Sequence, residues 1–282
     1  MKDLSRIGRS ARLLMVLFAI LAVWGGGTGV NALEQQEGTI PAGDIRITEV
    51  FNNILHRDEM TSSWGFACVI WLPGHTILFD TGGRGNVLLD NMEAAGIEPS
   101  SIDILFLSHE HGDHIGGLEA FLERNNEVTV YSPASFGEEY RNILSEFGIE
   151  PVDVTDPIEI CPGVWSTGEM GVLIREQSLV IATDRGQVVV TGCAHPGIAD
   201  ITGRACELVE GGPLLVMGGF HLRRTGDEEV LRIIEVLEQL GVRYVSPSHC
   251  TGEWAIGAFR EAFEGRFISG GAGRTYELEE LK

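Results

Sequence analysis

Ile104-Leu105-Phe106-Leu107 runs directly into Ser108-His109-Glu110-His111-Gly112-Asp113-His114. Four apolar residues of strand character end in a segment that carries three histidines and two carboxylates. Beyond it, Leu118, Phe121 and Leu122 fall on one face of a helix. The H-x-H-x-D-H segment is therefore expected as a strand-to-helix loop. Neutral imidazoles and a carboxylate are the donors that Zn2+ and similar ions take. Gly112 lets the backbone bend so that side chains close in sequence converge.

The same arrangement recurs three times further along. Val188-Val189-Val190-Thr191 leads into Gly192-Cys193-Ala194-His195, Leu214-Leu215-Val216-Met217 into Gly218-Gly219-Phe220-His221, and Arg243-Tyr244-Val245 into Ser246-Pro247-Ser248-His249. Each histidine is expected just past the carboxyl end of a buried strand, where sheet proteins collect their sites. Gly218-Gly219 would let the backbone approach a ligand closely. Four strand ends would thus supply imidazoles to one edge. His56 and His75 read as ordinary loop histidines, His75 in the Pro73-Gly74 turn, and Glu110 as directed to solvent or behind the ligands.

Further short apolar runs at 45–50, 66–72, 77–79, 128–131 and 179–182 read as strands. Asp184-Arg185-Gly186 marks a hairpin turn. Tyr140, Ile143, Leu144 and Phe147 repeat at helical spacing before Gly148, as do Val230, Ile233, Ile234 and Leu237 before Gly241. Thr225 with Glu228 offers a capping box for the second helix. Early strands are hairpin-like and late ones alternate with helices, which favours a layered α/β sandwich. The 132–162 segment, between the first motif and the later strands, is expected as a lid.

The chain has 282 residues with 20 basic and 41 acidic side chains, for a formal net charge of −21. An apolar fraction of 44% excludes a disordered chain, and the length fits one large domain. The acidic surface repels phosphate backbones, so no nucleic-acid partner is expected.

Lys2, Arg6, Arg9 and Arg12 precede the unbroken apolar run from Leu13 to Trp24, and Val30-Asn31-Ala32 follows. Basic head, short apolar run and small residues read as a signal peptide over 1–32, cut after Ala32, with an uncleaved N-terminal anchor as the alternative. Residues 33–282 then form the domain. The protein is expected to be exported, periplasmic or extracellular, and to touch a membrane only through that segment. Of the five cysteines, Cys68 and Cys161 read as small buried hydrophobes, while Cys193 and Cys250 stand beside site histidines.

Phe79-Asp80-Thr81-Gly82, the His109–His114 motif, Gly192-Cys193-Ala194-His195 and His249, in that order, resemble the metallo-β-lactamase superfamily. The resemblance covers nearly all of the chain after the N-terminal segment. It implies an αββα sandwich with a metal site at one edge of the two sheets. His109, His111 and His195 would hold a first ion, and Asp113, His114 and His249 a second. Asp80 would support the site from behind the ligands. His221 falls where the family usually has a bridging aspartate or cysteine, so it is carried both as a metal ligand and as a catalytic acid. One ion or two remain open. Cys193 and Cys250 are expected as packing behind the ligands.

The combination GCAHPG, GGFHL and SHCTG is similar to a narrower branch. It groups metal-dependent hydrolases with the dihydropterin–ribofuranosylaminobenzene phosphate synthase. The expectation is an exported hydrolase acting on a small-molecule ester, lactone or phosphate-type substrate. Its ion, Zn2+ with Mn or Fe as alternatives, lowers the pKa of bound water to about 7, giving hydroxide at neutral pH. Asp113 and His221 are the catalytic candidates, moving the protons of water and leaving group. The alternatives are a transferase like that synthase and a non-catalytic metal-binding module. No organic cofactor is expected.

Overall fold

The computed structural model describes residues 38–282. The expected signal peptide over 1–32 lies outside the described residues. Among them, no helix is long and apolar enough to cross a membrane.

Two sheets form the centre. The first contains β1 (Arg46–Asn52), β2 (Phe66–Leu72), β3 (His75–Phe79), β4 (Ile104–Phe106), β5 (Thr129–Pro133) and β6 (Val152–Val154), with β13 (Thr275–Glu277) at its edge, in the order β13-β1-β2-β3-β4-β5-β6. The second contains β7 (Ile158–Cys161), β8 (Val164–Ser166), β9 (Leu179–Thr183), β10 (Gly186–Thr191), β11 (Pro213–Gly219) and β12 (Tyr244–Ser248), in the order β12-β11-β10-β9-β8-β7. Pro73-Gly74 closes the β2–β3 hairpin and Asp184-Arg185 the β9–β10 hairpin, as the turn residues predict. The later strands β10, β11 and β12 run parallel.

The period of two along each strand explains the layering. Phe66, Cys68 and Ile70 of β2 share one core with Leu179 and Ile181 of β9 and with Val188 and Val190 of β10. This is the contact between the sheets. The alternate residues Ala67 and Val69 face Leu88 and Met92 of α1 (Gly85–Ala94), Leu118 and Phe121 of α3 (Leu118–Leu122), and Tyr140 and Leu144 of α4 (Glu138–Glu146). On the other side, Val180, Val189 and Val216 face α5 (Ile198–Leu208), α6 (Asp227–Gln239) and α7 (Glu253–Ala262). Both faces of both sheets are covered, so these strands read as continuous apolar runs. The result is the expected αββα sandwich.

Several local expectations change. The H-x-H-x-D-H segment is not all loop: Gly112–Ile115 forms a short helix, α2, which carries Asp113 and His114. The α6 N-cap is Gly226 without a side-chain cap bond, so Thr225 and Glu228 make no capping box. Asp227, Glu228 and Glu229 instead place negative charge on the first turn, where the helix dipole favours it. The segment expected as a lid is built into the fold, because Phe136, Tyr140 and Leu144 are buried under the outer face of the first sheet. Cys161 ends β7, in keeping with the strand-like run around it, whereas helices α1, α5 and α7 and the short strands β6, β8 and β13 were not expected.

Candidate metal centre

Asp80 follows β3, Ser108–His114 follow β4, Gly192–His195 follow β10, His221 follows β11 and His249 follows β12. Four non-glycine residues among those described have positive φ: Asp80 (56°), Ala194 (56°), His221 (54°) and His249 (44°). All four lie at these strand ends. Such backbones cost roughly 1–3 kcal/mol each and persist where surrounding contacts impose them. Here they swing side chains off the ends of straight strands toward one place.

His111 Nδ1 lies 3.1 Å from His109 Nε2 and 3.3 Å from His195 Nε2. The tautomer of His109 follows from its other nitrogen. Asp80 accepts from the Ser108 amide and hydroxyl, both at 2.7 Å, so the hydroxyl oxygen is left to accept from His109 Nδ1 at 3.0 Å. His109 Nε2 therefore presents a lone pair to His111. Burial lowers the pKa of His109, with the neighbouring His114 and His195 adding to it. Burial lowers that of His111 too, and holds His195 down to about 3 with help from His221 and His111. A single N–H on His111 Nδ1 could satisfy only one of its neighbours His109 Nε2 and His195 Nε2, whereas a cation among the three nitrogens satisfies all of them. Two donors bound tetrahedrally at 2.0–2.1 Å from one ion are about 3.3 Å apart. The residues fit a metal ion.

A second group gathers beside the first. Donor atoms of Asp113, His114, Cys193 and His249 all lie within 4.8 Å of one another. His114 Nδ1 donates to Asp80 Oδ2 at 2.7 Å, leaving Nε2 free toward the group. Burial disfavours charge on His114, but the Asp80 carboxylate outweighs it and raises the pKa. His249 Nδ1 donates to Asn53 Oδ1 at 2.7 Å, and Asn53 Nδ2 donates back to the His249 carbonyl at 3.0 Å, which fixes the amide's orientation. His249 Nε2 is buried without a hydrogen-bond partner and faces Asp113 Oδ2 at 3.3 Å. An orphaned lone pair beside a carboxylate is again a cation's surroundings.

Two supporting residues escaped the sequence reading. Asn53 orients His249 from 196 positions away. Glu176 is fully buried and accepts from the amides of Gly192, Cys193, Ala194 and His195 and from the Thr191 hydroxyl. No local pattern marks either one. Glu110 accepts from the Gly137 amide at 2.9 Å and ties the motif to the α4 entrance.

Cys193, expected as packing behind the ligands, has its sulfur among the candidate donors. Its Sγ lies 3.2 Å from His114 Nε2 and groups with donors of both histidine sets. Cys250, expected only as packing, joins Cys193 and His221 in a third group. Gly218 and Gly219 are required by the packing of the chain itself. A Cβ on Gly218 would lie 2.0 Å from the Thr191 carbonyl, and one on Gly219 2.5 Å from the Gly192 carbonyl and 2.8 Å from Cys250 Sγ.

Residues 65–249 match the family described as the metallo-beta-lactamase superfamily. The chain belongs to this superfamily. It is 30% identical over 247 residues, 72% of this chain and 84% of the relative, to 7,8-dihydropterin-6-methyl-4-(beta-D-ribofuranosyl)-aminobenzene-5'-phosphate synthase of Methanocaldococcus jannaschii. It is 33% identical to ribonuclease Z of Nanoarchaeum equitans over 93 residues, 31% of this chain and 28% of the relative. Among solved structures, Tm1679, a metal-dependent hydrolase of the β-lactamase superfamily, matches with a TM-score of 0.70 at 27% identity, covering 82% of this chain and 98% of that one.

His221, carried both as a ligand and as an acid, stands at the margin of the first histidine set. It is exposed, its ring centroid is 4.3 Å from that of His195, and its donors group with Cys193 and Cys250. It adjoins the first histidine set and shares the third donor group with Cys193. Two clefts open onto the centre. One, of about 500 Å³, is bounded by His249, Asn53, Trp64 and Arg223. The other, of about 360 Å³, is bounded by His111, Val172, Leu173 and Arg175.

Proposed function

We propose that this protein is a metal-dependent hydrolase acting on small molecules. The observation that carries the reading is the convergence of His109 Nε2, His111 Nδ1 and His195 Nε2 beside a cleft that reaches His111. An ion that served structure alone would be closed off by protein donors, whereas a catalytic one keeps an open side. His109, His111 and His195 would hold one ion and Asp113, His114 and His249 another, with zinc as the proposed metal.

When bound, the metal supplies acidification of water and charge stabilisation at the reacting centre. The chain's own groups move the protons. Asp113, whose side chain is 23% exposed, accepts the proton of the attacking water. His221, exposed beside His195, protonates the leaving group. Trp64 offers a ring face in the His249 cleft, and Arg223, whose guanidinium stands 5.5 Å from that ring's centroid, offers a cation to an anionic substrate group. Assaying nitrophenyl esters, lactones and phosphodiesters with zinc-loaded wild type, His111→Ala and Asp113→Ala tests the reading. Turnover and metal content should both fall in the variants, and full retention of both overturns it.

The similarity to the M. jannaschii synthase favours a second reading, group transfer in which an amine takes the place of water. Product that forms from a pterin diphosphate only when an aryl amine is present would select it. The N-terminal apolar run supports export of the protein. Recovery of the unprocessed chain from the cytoplasm of its native host would oppose that.

A further inference from the structure

We infer that the thiol of Cys193 is itself a metal ligand, shared between the His109–His195 donor group and the Asp113–His114–His249 donor group. The inference rests on reading the cluster as a metal centre, and goes beyond it by giving that centre a sulfur ligand.

Cys193 is 3% exposed. Its Sγ takes part in three donor groups, with Asp113, His114 and His249, with His109 and His195, and with His221 and Cys250. Within each group every donor atom lies within 4.8 Å of the others. The distance to His114 Nε2 is 3.2 Å. A nitrogen and a sulfur bound tetrahedrally to one zinc at 2.0–2.1 and 2.3 Å are about 3.6 Å apart. Cys250 takes part in one donor group only, and its Sγ approaches the Cys193 carbonyl at 3.7 Å.

The position of the sulfur is imposed. The Cys193 amide donates to Glu176 at 2.9 Å. Gly192 presses so closely on the first motif that a Cβ there would meet Ser108 Oγ at 2.2 Å. A side chain fixed in this way among imidazole lone pairs has poor partners for apolar packing, whereas a cation satisfies all of them. A thiol carries a proton that a coordinating metal replaces. A divalent ion entering the site displaces that proton to solvent and forms one metal–sulfur bond, with no change of oxidation state. A thiolate in the set favours zinc, cobalt or ferrous iron over magnesium or calcium.

The test uses Co2+ alone, added to metal-free wild type, Cys193→Ser and Cys250→Ser, with uptake measured by elemental analysis. Wild type and Cys250→Ser should show a near-ultraviolet sulfur-to-cobalt charge-transfer band, and Cys193→Ser should lose it. Uptake without the band in wild type overturns the sulfur ligand and leaves the histidine centre standing. No uptake at all overturns the metal centre as well. A band that survives in Cys193→Ser, or disappears in Cys250→Ser, also overturns the assignment. Should Cys193→Ser fail to fold, X-ray absorption on zinc-loaded wild type and Cys250→Ser decides it. Both should show sulfur at about 2.3 Å, and its absence from either is the contrary result.

Discussion

Glu176 holds His195 through the backbone: its Oε2 accepts the His195 amide at 2.8 Å while its Oε1 accepts the three preceding amides at 2.9–3.1 Å. One carboxylate thereby fixes the whole Gly192–His195 loop, including the sulfur of Cys193. Glu176→Ala leaves three buried amides and the half-buried His195 amide without acceptors, at about 1–3 kcal/mol for each buried orphan. That sum is comparable with the whole stability of a domain. The denaturation midpoint of Glu176→Ala should collapse, and that of Glu176→Gln, which keeps one carbonyl oxygen, should fall less. An unchanged midpoint in the alanine variant contradicts the role.

Asn53 aims His249 by accepting from Nδ1, so its loss should loosen the ring rather than the fold. Removing the outer partner of a ligating histidine typically weakens metal binding 10- to 100-fold. Asn53→Ala should show a drop of that order in zinc affinity by chelator competition. Asn53→Asp, which keeps an acceptor, should recover most of it. Equal affinity in all three proteins would sink this account.

His221 flanks the centre without belonging to either main donor set. His221→Ala should therefore keep most of its metal. It should also lose turnover selectively, by about 100-fold or more for poor leaving groups and little for good ones, as removal of a general acid does. A uniform loss across a leaving-group series, or loss of metal, would assign it to binding instead.

Glu49 is completely buried and accepts from Asn52 Nδ2, the Gly271 amide and the Tyr276 hydroxyl. Burial pushes its carboxyl from 4.5 up to about 7, with the hydrogen bonds of Tyr276, Gly271 and Asn52 opposing. The folded value is the higher one, so the native state binds more protons between these two pH values. The contribution to stability is full below about pH 4.5 and is lost as pH rises through 7. Glu49→Gln cannot ionise. The unfolding temperature of the metal-free variant should gain on wild type from pH 4.5 to 7 and then run parallel to it. A difference independent of pH would rule out a titrating Glu49.

The layered fold was legible because short continuous apolar runs mark strands covered on both faces and the helical spacings between the late ones mark the covering layer. Phe66, Cys68 and Ile70 face one way and Ala67 and Val69 the other, whatever the rest of the chain does. The three-residue strands β6 and β8 were not legible, since Val152–Val154 and Val164–Ser166 each carry a polar residue at the centre or end and too little pattern. The three strand-end histidines outside the first motif were legible as candidates, because an apolar run ending in a glycine- or serine-bearing turn can be read from sequence.

Which side chains point at which is a different matter. Asn53 and His249, or Glu176 and the Gly192–His195 loop, meet only after the sheets have stacked. Nothing near either residue in sequence announces the partner. The sequence by itself determined the donors and the strand ends that carry them, since those follow from residue type and period. Only the tertiary structure brought the Cys193 sulfur among the candidate donors and set the His221 ring beside His195. Those directions are set by left-handed backbones at Ala194 and His221, which long-range packing and hydrogen bonds hold in place.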